Sequence, residues 1–319
     1  MSPSTSSPRP LRTPTATVAL AITLVVAACS APAPGPATAP VPAAATEYAA
    51  HPGFDTYYYP GDSALRAWRP PASPYRWVGF YLPAPCHRES SWSGKRQAIT
   101  DLGYGIAVLY VGQQTWEGQE LVAPADSAAG RADPSRTDSL RTDSLRADST
   151  RANSTRVAPP ACAPSQLTAR RGASDAADAV GRAAAEGFAP GTVIYLNIER
   201  METIPPAMHE YYRAWVRGVL ADGRFLPGIY SHTRNADELY AAVRAETVAA
   251  GAGEPRFWIA NRAGFDVTKH PADAGHPFAH VWQGAFDVTD TWGGVTLKVD
   301  ANVARTPSPS VTSGSPGRR

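Results

Sequence analysis

Between residues 51 and 305 the hydrophobic pattern switches back and forth between a period of two and a helical period, and this alternation restricts the chain more than any other feature. Strands separated by helices bury both faces of a parallel sheet, which is the pattern of α/β folds. The expected strands are 53–59, 76–82, 105–111, 192–198, 226–231, 256–261, 279–283 and 295–300. Helical patterns cover 62–69, 94–102, 173–187 opened by Ser174-Asp175, 206–221 opened by a proline pair, and 234–250 opened by Asn235. Glycines at 103, 187 and 223 stand where helix C-caps belong. Five helices follow five strands and none comes between the last three, so the pattern predicts a TIM-barrel-like α/β fold of five βα units followed by three strands.

Outside this region the composition cannot support a core. Residues 29–50 are mostly Ala, Pro and Thr and read as an extended tether. Residues 118–160 interrupt the folded region, with TDSLR at 137 and 142, ADSTR at 147 and ANSTR at 152. A five-residue period matches neither helix nor strand, which predicts a disordered insertion; Asp and Arg at i, i+3 leave a charge-laced exposed helix as the other reading. Residues 306–319 form a Ser/Pro/Gly tail, expected to be disordered. The remaining domain, 51–305 without its insertion, has the size of a single domain.

The first 28 residues read as a bacterial lipoprotein signal peptide. Arg9 and Arg12 precede the apolar run Val18–Ala28, which is too short for a membrane span of about 20 residues. Val26-Ala27-Ala28 then leads into Cys29, a lipobox-like junction that makes Cys29 the expected acyl acceptor. Several acyl chains on one residue suffice for anchoring, since each buried methylene adds about 0.8 kcal/mol. The expected location is therefore a bacterial membrane surface facing the periplasm or the exterior, with the membrane contacted through the lipid alone.

Removing the leader takes away two arginines and leaves 28 basic against 28 acidic residues, without a basic cluster, so nucleic acid is not an expected partner. Acylation of Cys29 leaves Cys86 and Cys162 as an even pair in an oxidising compartment. A disulfide is expected between them, two buried free thiols being the alternative. The seven histidines form no i, i+4 pair on an expected helix and there is no Cys-x-x-Cys, so neither a metal nor another cofactor is expected.

In parallel barrels the C-terminal strand ends converge on one mouth, where polar residues have first claim on function. Asp55, Asn197, Glu199, Asp300 and Asn302 occupy such positions, although the short helix-free link before the last strand leaves its direction open. Among the aromatic residues near strand ends, Tyr57, Tyr230 and Trp282 are candidates to stack on a sugar face, and Gln283 is a candidate sugar hydrogen-bonding group.

Gly53-Phe54-Asp55, Tyr195-Leu196-Asn197-Ile198-Glu199, Gly228-Ile229-Tyr230-Ser231, Trp258-Ile259-Ala260, Val281-Trp282-Gln283 and Val299-Asp300-Ala301-Asn302 resemble, in order, the landmarks of glycoside hydrolase family 25 lysozymes. The opening Gly-Phe-Asp-Thr with Tyr75–Leu82 resembles more closely the related bacterial glycoside hydrolase-like domains of unknown function. The resemblance implies a flattened barrel and, for the lysozyme branch, muramidase activity on peptidoglycan with an Asp-x-Glu on strand four holding the acid. Glu199 matches that acid, Asp55 and Asp300 match the other mouth carboxylates, and Asn197 stands where the first acid is expected. Two functions are consistent with this pattern: a glycosidase acting on peptidoglycan or a related glycan, and a glycan-binding or scaffold lipoprotein that has lost turnover.

Overall fold

The computed structural model describes residues 49–115 and 162–312. The leader, Cys29, the tether up to residue 48, the 118–160 insertion and residues 313–319 lie outside these. Eight strands close into one barrel in chain order: β1 (His51–Asp55), β2 (Trp77–Leu82), β3 (Gly105–Val111), β4 (Val193–Ile198), β5 (Leu226–His232), β6 (Arg256–Ala260), β7 (Ala279–Trp292) and β8 (Val295–Ala304). The helices are α1 (Asp62–Trp68), α2 (Arg96–Asp101), α3 (Ala169–Ala185), α4 (Pro206–Asp222) and α5 (Thr233–Ala249), one after each of the first five strands. β1 to β7 run parallel, whereas β8 is antiparallel to both β7 and β1. The barrel of five βα units and three strands is therefore present, and the open question of the last strand resolves as a hairpin.

That hairpin turns at Gly293-Gly294, with φ of 56° and 77°, the pair of positive angles that two-residue hairpins need. Both of its strands are longer than the sequence pattern suggests and run on through register shifts at Gln283/Ala285 and Ala285/Val288, where Asp287 takes φ 56° and local irregularity hides the alternation. Beyond the bend it packs on α1, where Trp68 Nε1 donates to the Val295 carbonyl at 2.9 Å.

Strand alternation separates two apolar groups. Trp77, Leu109, Tyr195, Tyr230, Trp258 and Val281 fill the barrel interior, as barrels of this size require. Gly53 makes room for them: a Cβ there would lie 2.2 Å from the Trp77 indole. The opposite strand faces, with Phe54, Phe80, Val108 and Ile194, pack against the inner sides of the helices, including Trp215, Val216 and Val219 of α4.

Three element boundaries differ from expectation for local reasons. α3 begins at Ala169, not 173, since the Thr168 side chain accepts from Arg171 N–H at 3.1 Å and caps it. α5 is capped by His232, while Asn235 instead bridges the Met201 N–H and carbonyl and holds the β4 loop. β1 stops at Asp55, and Tyr59 turns away to donate to Asp62 at 2.6 Å.

The expected disordered tail is partly a correction. Residues 306–312 lie against the N-terminal ends of β3 and β4, with Ser310 Oγ accepting from Val108 N–H at 2.8 Å and Val193 N–H donating to the Ser310 carbonyl at 2.8 Å. Ser308 and Ser310 thus satisfy buried strand donors, which explains why a segment of loop-like composition is ordered. The disulfide is present: Cys86 and Cys162 are bridged with Cα atoms 5.0 Å apart, tying the loop after β2 to the segment before α3.

Candidate functional site

The mouth is built from strand ends. Asp55 closes β1, and because β8 is antiparallel, Asp300 lies directly opposite it in the β1–β8 register. The hairpin geometry is therefore what places the two acids side by side. Gly79 on β2 gives Asp55 its space, a Cβ at that position falling 2.5 Å from the Asp55 Cβ.

Gln283 joins the two carboxylates. Its Nε2 donates to Asp55 Oδ1 at 2.9 Å and to Asp300 Oδ2 at 3.0 Å, and its Oε1 accepts from the Tyr230 hydroxyl at 2.5 Å. Asp55 accepts further from Tyr81 at 2.7 Å and from Asn302 at 2.8 Å, and the Asn302 Oδ1 is itself held by Trp258 Nε1 at 2.9 Å. Asp300 Oδ1 accepts from Asp287 N–H at 2.6 Å. On the other side, Gln114 clamps the strand-four motif, donating to the Asn197 carbonyl at 2.9 Å and accepting from Glu199 N–H at 3.1 Å.

Burial pushes the Asp55 carboxyl up to about 6, opposed by the donors Tyr81, Asn302 and Gln283 and reinforced by the charge of Glu199. Asp300 rises to about 7, from burial first and then from the charge of Asp55. Glu199 is also raised, by burial above all, with the Asn197 amide opposing and Asp300 adding to the rise. Three acids at one mouth thus compete for few negative charges. Asp55, with three side-chain donors, is best placed to stay ionised.

This has a stability consequence. An acid whose folded pKa exceeds its unfolded value of about 4 binds its proton more tightly when folded, so the contribution of Asp55 and Asp300 to stability is fullest below pH 4 and is lost as pH rises towards 7. Replacing Asp300 by Asn removes part of that loss. The Tm difference between variant and wild type should be more positive at pH 8 than at pH 4, and a difference independent of pH would refute the shared acid site.

The structure brings together Asp55, Asn197, Glu199, Asp300, Tyr230 and Gln283. It reassigns three residues proposed to touch a sugar. Trp282 lies on the outer face, fully buried, with Nε1 donating to the Asn261 carbonyl at 2.7 Å and Phe265 edge-on at 5.1 Å, because its neighbour Gln283 takes the inward position. Tyr230 fills the barrel against Trp258, and its hydroxyl is spent on Gln283. The Gln283 amide is spent on Tyr230 and the two acids. Tyr57 remains at the mouth, half-buried between Tyr58 at 4.7 Å and His87 at 4.4 Å. Tyr81 and Gln114 are the functional neighbours that sequence reasoning missed. Tyr81 shares the inward parity of Trp77, a usable signal, whereas Gln114 lies past β3 with no pattern to mark it. Among the described residues, no group of three His, Cys, Asp or Glu side chains is arranged to hold a metal ion.

A closed α/β barrel that gathers carboxyls from the C-terminal ends of β1 and β4 and from the antiparallel β8 at one mouth has the architecture of a glycoside hydrolase-like domain. The chain belongs to the Rv2525c-like, glycoside hydrolase-like domain family, whose model matches residues 66–304 and so includes Asn197, Glu199, Gln283 and Asp300. Among solved structures it is similar to an uncharacterised B. stearothermophilus protein, at 15% identity and TM-score 0.47, covering 80% of this chain and 95% of that one. It is also similar to the Mycobacterium tuberculosis Tat-secreted protein Rv2525c in complex with L-tartrate, at 17% identity and TM-score 0.41, covering 80% and 94%. A third similar structure is the modular autolysin LytC from Streptococcus pneumoniae, at 10% identity and TM-score 0.44, covering 80% of this chain and 46% of that one. A comparison with the curated proteins returns no match.

Proposed function

We propose that this protein is a cell-envelope glycosidase that binds peptidoglycan or a related glycan across the barrel mouth, with Glu199 as proton donor. The observation that carries the reading is the division of labour among the mouth acids. Glycoside cleavage needs one carboxyl protonated and another ionised, and here burial favours the proton on Glu199 while Tyr81, Gln283 and Asn302 favour the charge on Asp55. Asn197 sets an uncharged amide beside Glu199, which works against the effect of burial on that carboxyl without adding a further charge. Digestion of purified peptidoglycan and of simpler N-acetylated glycans tests this, read as new reducing ends with products identified by mass. Binding without any new reducing ends would favour the second reading, a glycan-binding lipoprotein, for which the missing acid at Asn197 is the supporting observation.

The envelope role rests on the leader. Acylation of Cys29 after cleavage would hold the barrel at a membrane surface on the 29–50 tether. The mature N-terminal peptide should carry acyl mass and the protein should enter the detergent phase on partition. Recovery in the aqueous phase without acyl mass would rule out the anchor.

A further inference from the structure

The sequence holds no basic cluster, yet folding gathers arginines at the barrel end opposite the mouth. Arg69 follows α1 and Arg76 precedes β2, so both stand where the parallel strands begin, and both are exposed. They line one cleft of about 430 Å³ with Leu102, Gly103, Pro307 and Ser308, and no carboxylate stands on its wall. Neither guanidinium is paired with a carboxylate among the described residues. Asp101, next to Leu102, is engaged instead by Gln97 Nε2 at 2.7 Å.

Two like charges on one cleft repel, so the pair calls for an anion between them. The backbone of Arg76 is fixed at the rim: its N–H donates to the Pro52 carbonyl at 2.7 Å, and its carbonyl accepts from Gly105 N–H at 2.9 Å. The positive field is felt around the cleft, since Arg76 adds to the burial that lowers the pKa of His51. Elsewhere on the same end, Arg256 and Arg305 add to the burial that pushes His280 down to about 4. Glu254, which shares a neighbouring cleft with Arg256 and His280, is engaged by Arg244 and Tyr240.

The course of the chain says what faces this end. β1 begins here at His51, so the 29–50 tether joins the barrel on this side, and a lipid on Cys29 would bring a membrane to it rather than to the mouth. The anions that a membrane presents are headgroup phosphates, whose oxygens match the guanidinium fork in paired hydrogen bonds. We infer that this end of the barrel docks on anionic phospholipid headgroups, with a phosphate seated between Arg69 and Arg76 and the mouth turned away from the membrane. The choice of a membrane as partner rests on the anchor reading above and extends it, since protein as well as lipid then touches the bilayer.

The test is arginine footprinting with phenylglyoxal on the full chain held in vesicles by its own anchor, read residue by residue by mass. One set of vesicles is phosphatidylcholine alone, the other equal parts phosphatidylcholine and phosphatidylglycerol. Arg69 and Arg76 should react about fivefold more slowly on the anionic set, the scale of one basic residue's attraction to such a surface, and the difference should fade as salt is added. Arg224, exposed before β5 at the same end, should be protected with them; Arg262, exposed after β6 at the mouth end, should react alike on both sets. In the double variant Arg69→Gln, Arg76→Gln, the protection of Arg224 should be lost, and the paired changes to Lys should keep part of it. Both sites are exposed, so these changes leave the fold intact. Equal reactivity on the two sets, or protection of Arg224 that survives the Gln changes, would overturn the docking and leave the anchor standing. Inorganic phosphate that shields Arg69 and Arg76 as fully as anionic vesicles do, with Arg224 reactive throughout, would make the cleft a small-anion site and also overturn it. Attachment to anionic vesicles alone would uphold the docking and overturn the anchor, and attachment to neither set would overturn both.

Discussion

Replacing Glu199 by Gln is expected to slow glycan cleavage by about 100-fold to 10,000-fold while leaving affinity for the same glycan nearly unchanged. The substitution keeps the shape of the side chain and its place beside Asn197, and it removes only the transferable proton. Because burial raises the Glu199 pKa, the wild-type rate should fall on the alkaline side as that proton is lost, and this limb should disappear from the residual rate of the variant. Asn197→Asp is the complementary change. It adds a fourth carboxylate to the mouth and should raise turnover if the family's first acid is what limits the rate. A Glu199→Gln protein that cleaves at the wild-type rate would end the assignment of Glu199 as donor.

The second large effect concerns the disulfide. Changing Cys86 and Cys162 to Ser should lower the unfolding free energy by about 4 kcal/mol, the chain-entropy value for a link spanning 76 residues. The loop that Cys86 anchors also carries His87, which stacks on Tyr81 at 4.7 Å, and Tyr81 is the hydroxyl donor to Asp55. Losing the bridge should therefore weaken glycan binding as well as stability. Denaturant unfolding of the double variant against the oxidised wild type measures the first effect, and titration measures the second. A loss under 1 kcal/mol would mean that the native contacts around Cys86 hold the loop unaided.

The order of elements was legible because alternation and helical period report burial, which is what the barrel layers impose. Helix starts were less so. Ser174-Asp175 reads as an opening, yet α3 starts at Ala169, and Gly172 within it permits the close approach of α4, since a Cβ there would lie 2.1 Å from the Tyr211 carbonyl oxygen. The direction of β8 was not legible, since a link of about ten residues admits either course. The mouth acids could be named from strand ends, but their ranking depends on who donates to whom, and Tyr81, Gln283 and Asn302 meet Asp55 only in three dimensions. Alternation does separate Trp282 from Gln283: adjacent strand residues face opposite sides, so the two do not both line the mouth.

The antiparallel last strand also governs when the site comes into being. Asp55 is near the start of the barrel, and two of its three side-chain donors, Gln283 and Asn302, arrive 228 and 247 residues later. The tail that seals β3 and β4 comes later still, with Ser310 reaching Val108 across 202 residues. Such pairings carry the highest loop-closure cost and form late in folding. A chain that stops short of β8 lacks Asp300, and with it the Asp55–Asp300 pair. The paired acids are in this way tied to completion: the acidic mouth belongs only to molecules whose two ends have met.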